Sequence, residues 1–413
     1  MGVLGLVFPP RLGGEFRKSV PASWAGNLAD GLGLAAGPLL VASQTRDPFL
    51  VAMALLLQQL PWLLFGLYAG VVADRVDRRL LIAVASLARG GLLAGLVGFL
   101  ATGHVTVWVV LVAVFLLGTC EVFVDTGSET VMPMLVAKRD LGIANARIYA
   151  GFITLNNLVG PPVGAALFAV GMVWPFVGQV LCVLAAAAVI LRVRLPAHGV
   201  ARGQRGRVRT DLVEGLRWLR DSPPVRTLAL VIVTFNVTWG ASWSVLVLYA
   251  TDHLGTGPVG FGLLTTAAAL GGLVSTSAYG WLERRVPLGT LMKTCLTLEV
   301  LLHLGLAVTT AQWVATLVLF GFGCYAFVWG TVATSVRQRA VPTELQGRVG
   351  SVYRVGVYGG VVLGNLAGGL LARHFGILAP YWVGFVVTGV FLVLIWSQLK
   401  LIVHADEEAV TAP

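Results

Sequence analysis

Four acidic or amide side chains lie inside apolar stretches of the sequence, where such groups are costly. Asp30 is about 18 Å beyond Lys18 at the usual helical rise, and Asn27 precedes it by one turn. Glu121 and Asp125 lie one turn apart in a later stretch and share a helix face. Because an ionisable group in hydrocarbon is a functional candidate, Asp30 and Glu121 are predicted to be proton-coupling residues. Recognition of a cation, or a structural pairing, is the alternative for Asp30.

The composition shows what surrounds these groups. The chain has 413 residues, of which 57% are hydrophobic and only 12% are charged, whereas soluble domains are about 25% charged. The excess apolar surface must face lipid, so the sequence predicts an all-α membrane protein. The formal net charge of +10 comes largely from arginines in short loops, so no nucleic-acid partner is expected. The four cysteines fall in apolar runs, which argues against disulfides.

Twelve membrane-spanning helices of about 20 residues can be placed along the chain. Alternate loops are rich in Lys and Arg, while the opposite loops hold little beyond Arg46 and Arg373. Because positive loops stay on the cytoplasmic side, both termini are predicted to be cytoplasmic, in a protein of the plasma membrane. The predicted spans are 19–43, 49–73, 80–102, 106–131, 143–169, 173–194, 225–250, 257–282, 288–309, 313–336, 349–373 and 378–399.

The predicted spans divide into two halves of six. Gly160 and Gly364 each begin a G-x-x-x-G at corresponding places, which indicates two repeats about an axis along the membrane normal. Between the halves, Asp211 and Glu214 predict the start of an amphipathic helix on the cytoplasmic membrane surface, with a plain solvated linker as the alternative. The predicted segments are an N-terminal bundle at 1–194, a cytoplasmic linker at 195–224, a C-terminal bundle at 225–401 and a cytoplasmic tail at 402–413.

The loop between the second and third predicted spans carries a recognisable motif. Gly70-Val-Val-Ala-Asp74-Arg75-Val-Asp77-Arg78-Arg79 resembles the G-x-x-x-D-R-x-[GD]-R-[RK] loop of the major facilitator superfamily. Within that superfamily the chain looks like the bacterial branch of enterobactin exporters and macrolide efflux proteins. The segments behind this second resemblance are Glu121-Val-Phe-Val-Asp125, Met132-Pro-Met-Leu-Val136, Asn145-Ala-Arg147 and Val341-Pro342-Thr-Glu344-Leu-Gln-Gly347-Arg348-Val349.

The resemblance implies a fold and a moving part. The fold is twelve transmembrane helices in two pseudo-symmetric six-helix bundles that work as a monomer by alternating access. The moving part is a latch that holds the outward-facing state. In it, Gly70 would allow close helix packing, Asp74 would face the N-terminal end of the eleventh helix, and Arg78 would bridge Asp74 and Asp125.

The fifth predicted span resembles a motif of exporters in the same superfamily. Gly160-Pro161-Pro162-Val-Gly164 matches their G-P-x-x-G pattern, and Gly151 precedes it at the expected spacing. Where the motif usually has another glycine, this chain has Asn156. The motif favours export, and a kinked, closely packed helix is the alternative interpretation.

Amide and aromatic side chains are predicted to bind the substrate, because stacking and cation–π contacts suit large amphipathic molecules. Trp243 and Tyr249 are alternatively members of the interfacial aromatic belt. Glu299 and His303 lie one turn apart in the ninth span, which is peripheral in this superfamily, so they are interpreted as a structural pair, with a histidine that titrates near neutral pH as the alternative. The predicted substrate-binding residues are Asn27, Asn156, Asn236, Trp239, Tyr325 and Trp329.

The leading hypothesis is a secondary exporter of drug-like or siderophore-like molecules, coupled to protons. Its fourth span lacks the arginine that many proton antiporters of the superfamily carry. An importer of sugars or small acids is less favoured, because Arg89 and Arg354 are predicted near cytoplasmic helix ends. A membrane enzyme or sensor is the third hypothesis, without a catalytic constellation to support it. No enzyme activity, cofactor or metal site is expected, and no nucleotide-binding loop is present.

Overall fold

The computed structural model of the chain describes residues 12–137, 140–194, 208–342 and 345–399, and these are helical almost throughout, with no strand among them. Ten helices in these ranges are long and apolar enough to cross a membrane, and two shorter apolar helices bring the set to twelve. The predicted all-α membrane fold with twelve spans is confirmed.

In chain order the helices are α1 Gly14–Gln44, α2 Pro48–Arg75, α3 Arg78–Ala101, α4 Val107–Leu135, α5 Leu141–Gly151, α6 Gly160–Val170, α7 Trp174–Ile190, α8 Val208–Asp221, α9 Pro223–Trp243, α10 Leu246–Leu248, α11 Pro258–Arg285, α12 Leu288–Val308, α13 Gln312–Ala340, α14 Gln346–Phe375 and α15 Ala379–Ile395.

The fifth span changes helix type along its length. α5 runs into a π-helical segment, Phe152–Val159, before α6 begins. Pro161 and Pro162 have no backbone N–H, so two carbonyl groups of the preceding turn lack their helical donors, which lets the chain widen into a π turn. The span predicted at 143–169 therefore contains an irregular turn that the sequence did not predict, and Asn156 lies in it.

The loop motif sets the point at which α3 begins. The Asp77 side chain accepts hydrogen bonds from the backbone N–H groups of Arg79 (2.8 Å) and Leu80 (3.3 Å). A cap of this kind is worth about 1 kcal/mol. By fixing the first turn of α3, it also fixes the depth of every side chain farther along that helix.

The chain forms two compact units. Unit 1 is Met1–Arg46, Leu57–Gly203 and Gly257–Thr266, and unit 2 is Asp47–Leu56, Gln204–Thr256 and Ala267–Pro413. In unit 1, α1 packs against α6 and α7, and α3 packs against α4 and α7. In unit 2, α9 packs against α14 and α15, and α12 packs against α13 and α15. Each unit thus contains the same packing pattern, which is the signature of an internal repeat.

Glycine allows the closest helix crossing in each unit. A Cβ atom at Gly31 of α1 would collide with the carbonyl oxygens of Leu155 and Asn156, and one at Gly160 would collide with Gly31 itself. In unit 2, a Cβ atom at Gly364 of α14 would collide with the backbone of α9. The two G-x-x-x-G sequences therefore lie at equivalent crossings, where the absence of a side chain lets two backbones touch.

Gly70 differs from these glycines. No described atom lies within 4 Å of the position that a Cβ atom would take there. The close packing predicted for Gly70 is therefore not seen among the described residues, and its role in the latch stays a prediction.

A helix is present in the predicted linker, and α8 packs on the start of α14. Gly215 lies against the backbone of Arg348, and Glu214 Oε1 is 2.7 Å from Arg348 Nη1. Trp218 and Leu219 join a small apolar cluster in unit 2, while Leu216 stays exposed. Contact with α14, in addition to any lipid surface, therefore holds this helix. Residues 195–207 of the predicted linker lie outside the described ranges.

Gly31→Ala is expected to destabilise the protein by about 1–3 kcal/mol, because the new methyl group would overlap the backbone of the fifth span. Gly37→Ala in the same helix is the matched control. The space around Gly37 is open, and alanine favours a helix by up to about 1 kcal/mol relative to glycine. Thermal unfolding of the purified protein in detergent measures both variants, and equal midpoints would contradict this account of the crossing.

Candidate functional site

An ion pair joins α1 and α3 inside unit 1. Arg89 Nη2 lies 2.5 Å from Asp30 Oδ1, and only 7% of Arg89 is exposed. Arg89 follows Arg78, the first residue of α3, by eleven positions, or about 16 Å along the helix. The prediction that Arg89 lies near a cytoplasmic helix end is therefore wrong. It lies in the middle of α3, where a guanidinium group needs an anionic partner.

Two carboxylates of α4 complete a charge cluster, which consists of Asp30, Arg89, Glu121 and Asp125. Arg89 interacts electrostatically with Glu121 and Asp125 as well as with Asp30, and Glu121 interacts with Asp30. The structure thus brings together the two residues predicted to couple protons. Because one cation faces three carboxylates, the cluster has an excess of negative charge that a proton or a cationic ligand can neutralise.

A glycine within one turn of each central charged residue lets its helix approach a neighbour. Gly33 follows Asp30 on α1 and faces the Gln179 side chain of α7. On α3, Gly90 faces α7, and on α4, Gly118 faces a backbone carbonyl of α2. The three helices that carry the cluster are thus packed closely against α7 and α2.

The predicted asparagines occupy equivalent places in the two units. Asn27 donates through Nδ2 to the Ser23 carbonyl oxygen at 2.8 Å, and Asn236 donates to the Ile232 carbonyl oxygen at 2.7 Å. Each follows the first residue of its helix, α1 or α9, by thirteen positions. Since each amide nitrogen bonds to its own helix, the amide oxygen is the atom that can accept from a ligand. Asn156 lies in the π segment of unit 1.

Unit 2 contains an aromatic stack of Trp239, Trp243 and Phe322. The ring centroids of Trp239 lie 5.3 Å from Trp243 and 6.3 Å from Phe322, and Trp243 lies 6.1 Å from Phe322. Tyr325 packs its ring edge-on against Phe322 at 5.7 Å. Trp329 is buried on the same helix. The stack offers flat, polarisable surface to an aromatic or cationic ligand.

The residues of the exporter-like motif are packing positions in unit 1. Gly151 faces the ring of Trp24, whose Nε1 donates to the Arg147 carbonyl oxygen at 3.2 Å. Gly164 faces the backbone of Leu32 on α1, and Pro161 follows directly after the Gly160 crossing. The motif therefore joins the fifth span to the helix that carries Asp30. A role in the direction of transport stays a prediction.

The described residues cover the predicted latch in part. Arg78 Nη1 lies 2.9 Å from Met134 Sδ. Asp125 interacts with Arg89, which links it to the charge cluster. The side chain of Asp74 lies outside what the structure describes, so the latch stays a prediction.

An apolar groove of about 860 Å³ lies between α3 and α4. Gly91 and Gly95 of α3 and Trp108 of α4 contribute to its walls, and Thr119 and Cys120 close one end. Arg89 interacts electrostatically with Cys120, so that end of the groove adjoins the charge cluster. Phe99, Trp108 and Val112 in its walls are exposed, so the groove is open on the surface of unit 1, where lipid or an apolar ligand would contact it.

Two residues of these sites were not predicted from the sequence. The depth of Asp30 was predicted by counting residues from Lys18. The same count from Arg78 places Arg89 in the middle of its helix and could have revealed it. Phe322 is an ordinary aromatic residue in an apolar span, and no feature of the sequence separates it from neighbours that face lipid. Its role depends on which side of α13 faces α9.

Twelve apolar helices, a repeated packing pattern and a buried charge cluster define a membrane transporter. The chain is 28% identical over 381 residues to the multidrug efflux pump Tap of Mycolicibacterium fortuitum, which covers 87% of this chain and 90% of Tap. It is 27% identical over 398 residues to the enterobactin exporter EntS of Escherichia coli, which covers 93% and 92% of the two chains. The crystal structure of a mutant of the nucleoside transporter NupG is similar with a TM-score of 0.73 at 12% identity, over 94% of this chain and 100% of that one. This last likeness shows the fold alone.

The family described as transmembrane secretion effector matches residues 10–411. The chain belongs to this family of the major facilitator superfamily and is a multi-pass membrane transporter. The resemblance recognised in the loop motif is confirmed.

Removing one partner of the Asp30–Arg89 pair is expected to cost about 3–5 kcal/mol, because the other charge stays buried. Arg89→Gln should therefore destabilise strongly, and Asp30→Asn combined with Arg89→Gln should recover part of the loss. The exposed pair of Glu214 and Arg348, treated in the same way, should give a coupling of only about 0–1 kcal/mol. Unfolding in detergent measures both double-mutant cycles. Similar coupling energies for the two pairs would contradict the buried ion pair.

Proposed function

We propose that the protein is a proton-driven secondary exporter of drug-like or siderophore-like small molecules. The observation that carries the proposal is the charge cluster in unit 1, where Arg89 pairs with Asp30 and interacts electrostatically with Glu121 and Asp125. A site with more carboxylates than cations inside a membrane protein is a natural place for an exchangeable proton. Arg89 supplies, from α3, the arginine that the fourth span lacks.

The exchange follows from competition for the excess negative charge of the cluster. Asp30 and Arg89 neutralise each other, so Glu121 and Asp125 carry the charge that varies. A proton on Glu121 and a cationic ligand beside it neutralise the same charge, so binding of one favours release of the other. Alternating access then turns this competition into antiport. The membrane potential adds about 2.3 kcal/mol per charge per 100 mV.

Three features support export of a lipophilic ligand. The relatives Tap and EntS are an efflux pump and an exporter by name. The groove between α3 and α4 and the aromatic stack offer apolar and aromatic surface to such a molecule. The fifth span carries the exporter-like motif. The loop charges favour a plasma-membrane location with both termini cytoplasmic.

One argument against an importer no longer holds, but Arg89 is not a free cationic site for an anionic substrate. Arg89 lies deep in the protein, as an anion importer would require, but its charge is already matched by Asp30 at 2.5 Å. An anionic substrate would have to displace a carboxylate that lies among two others. We therefore retain export as the proposed direction.

Purified protein in liposomes, given a pH gradient and a fluorescent organic cation, tests the proposal. Wild type should move the cation against the proton flow. Glu121→Gln should lower this flux to background, because an amide neither binds nor releases a proton, and Asp30→Asn should do the same by removing the partner of Arg89. Glu283→Gln is the matched control, since Glu283 is an exposed carboxylate on α11, and it should transport as wild type does.

The direction of the two fluxes separates the hypotheses. Movement of the cation together with protons would identify an importer by symport. No gradient-dependent flux of any cation tested would rule out the antiporter, and unchanged flux in Glu121→Gln would rule out the charge cluster as its proton site.

A further inference from the structure

Unit 2 buries an acid and a histidine that the proposed function does not use. Glu299 is 5% exposed and His303 is fully buried, one turn apart on α12. Tyr325 of α13 donates its hydroxyl hydrogen to Glu299 Oε2 at 2.5 Å. Glu299 Oε1 lies 3.9 Å from His303 Nδ1. A carboxyl group in such surroundings must be protonated or face a cation, so the charge of this group of residues depends on where its protons lie.

The hydrogen bonds of His303 show which ring nitrogen can accept a proton. Nδ1 lies 3.0 Å from the backbone carbonyl oxygen of Glu299. Because a carbonyl oxygen only accepts, Nδ1 carries the hydrogen of the neutral ring and Nε2 carries the lone pair. Among the described residues no group bonds to Nε2, and Gly384 of α15 leaves room for that edge of the ring.

A small cavity adjoins His303 on this side. Its volume is about 10 Å³, close to the space that one water molecule needs. Four polar atoms on its lining residues have no hydrogen-bond partner in the described part of the chain: Trp239 Nε1, Ser242 Oγ, His303 Nε2 and Tyr381 Oη. The wall of the cavity itself is apolar, so these atoms do not face it, and His303 Nε2 remains a buried ring atom without a hydrogen-bond partner in the described part of the chain.

The repeat puts this cavity where unit 1 has its charge cluster. Glu299 and Arg89 each follow the first residue of their helix, on α12 and α3, by eleven positions. Trp239 and Asp30 each follow the first residue of α9 and α1 by sixteen positions. α12 packs between α13 and α15 as α3 packs between α4 and α7. Each unit thus places an ionisable side chain at the same depth among equivalent neighbours.

We propose that Glu299, His303 and Tyr325 form a second proton-binding site, in unit 2. Binding adds one proton to Glu299 Oε1 or to His303 Nε2, raises the charge of the site by one and breaks no covalent bond. The other titratable groups beside it are Tyr381 from α15, which packs on Tyr249, and Cys295 from α12 itself. The inference concerns proton binding alone, so it stands apart from the direction and cargo of transport.

The second site adjoins the aromatic stack. Tyr325, which bonds to Glu299, packs against Phe322, and Phe322 stacks on Trp239. A negative charge on Glu299 would strengthen the attraction of this region for a cationic aromatic ligand, and a proton would weaken it. The proton and the ligand therefore act on neighbouring groups in unit 2, as they do in unit 1.

Infrared difference spectroscopy of the protein in lipid nanodiscs, without any substrate, tests the second site. Spectra recorded between acidic and alkaline buffer contain the carbonyl stretch of every carboxyl group that becomes protonated. Glu299→Gln should remove one component of that band. Tyr325→Phe should shift the same component to higher frequency, because the carboxyl group loses its hydrogen bond. His303→Gln should change the pH at which the component appears.

Glu283→Gln is the control, and it should leave the component assigned to Glu299 unchanged, because Glu283 is an exposed carboxylate on α11. Gel filtration and circular dichroism confirm that each variant is folded. If Glu299→Gln does not fold, Tyr325→Phe gives an independent result. A carboxyl band that is identical in wild type, Glu299→Gln and Tyr325→Phe over the whole pH range would overturn the proposal. Because no substrate is present, a failure of transport leaves this result unaffected.

Discussion

The cost of holding a charge away from water is the constraint on which this molecule depends. Arg89 lies mid-helix with 7% of its surface exposed, and it persists there because Asp30 approaches to 2.5 Å. An unpaired charge in such a place would cost several kcal/mol. The same constraint applies to Glu299 in the other unit, where a tyrosine hydroxyl and a histidine replace the arginine. Each unit therefore supplies different polar partners to its buried ionisable group.

Backbone packing gives these groups their places. The Asp77 cap sets the first turn of α3, and glycines next to Asp30, Arg89 and Glu121 let their helices approach closely. A side chain at any of these glycines would press on the neighbouring helix. The equivalent crossing of α9 and α14 also depends on glycine. Small residues thus set how closely the helices that carry the charged side chains approach their neighbours.

Much of this architecture could be predicted from the sequence, and the parts that could not be predicted were missed for physical reasons. Hydropathy predicted twelve spans, since each must be apolar over the thickness of the bilayer. The spacing of Asp30 and Glu121 marked them as candidates, because acids in apolar runs are rare. The partner of Asp30 was missed, since pairing between α1 and α3 depends on helix rotation, which hydropathy does not encode. The π segment was missed because a proline indicates that the helix is irregular but not which irregular geometry it adopts.

In unit 1, we propose, a ligand and a proton compete for the charge cluster. Proton release on ligand binding tests this most directly, with the purified protein in weakly buffered detergent solution, a pH-indicator dye and a lipophilic organic cation. The account predicts that binding of the cation releases protons from wild type and that Glu121→Gln binds the cation with a smaller release. Saturable binding of the cation to wild type with no proton released would contradict it.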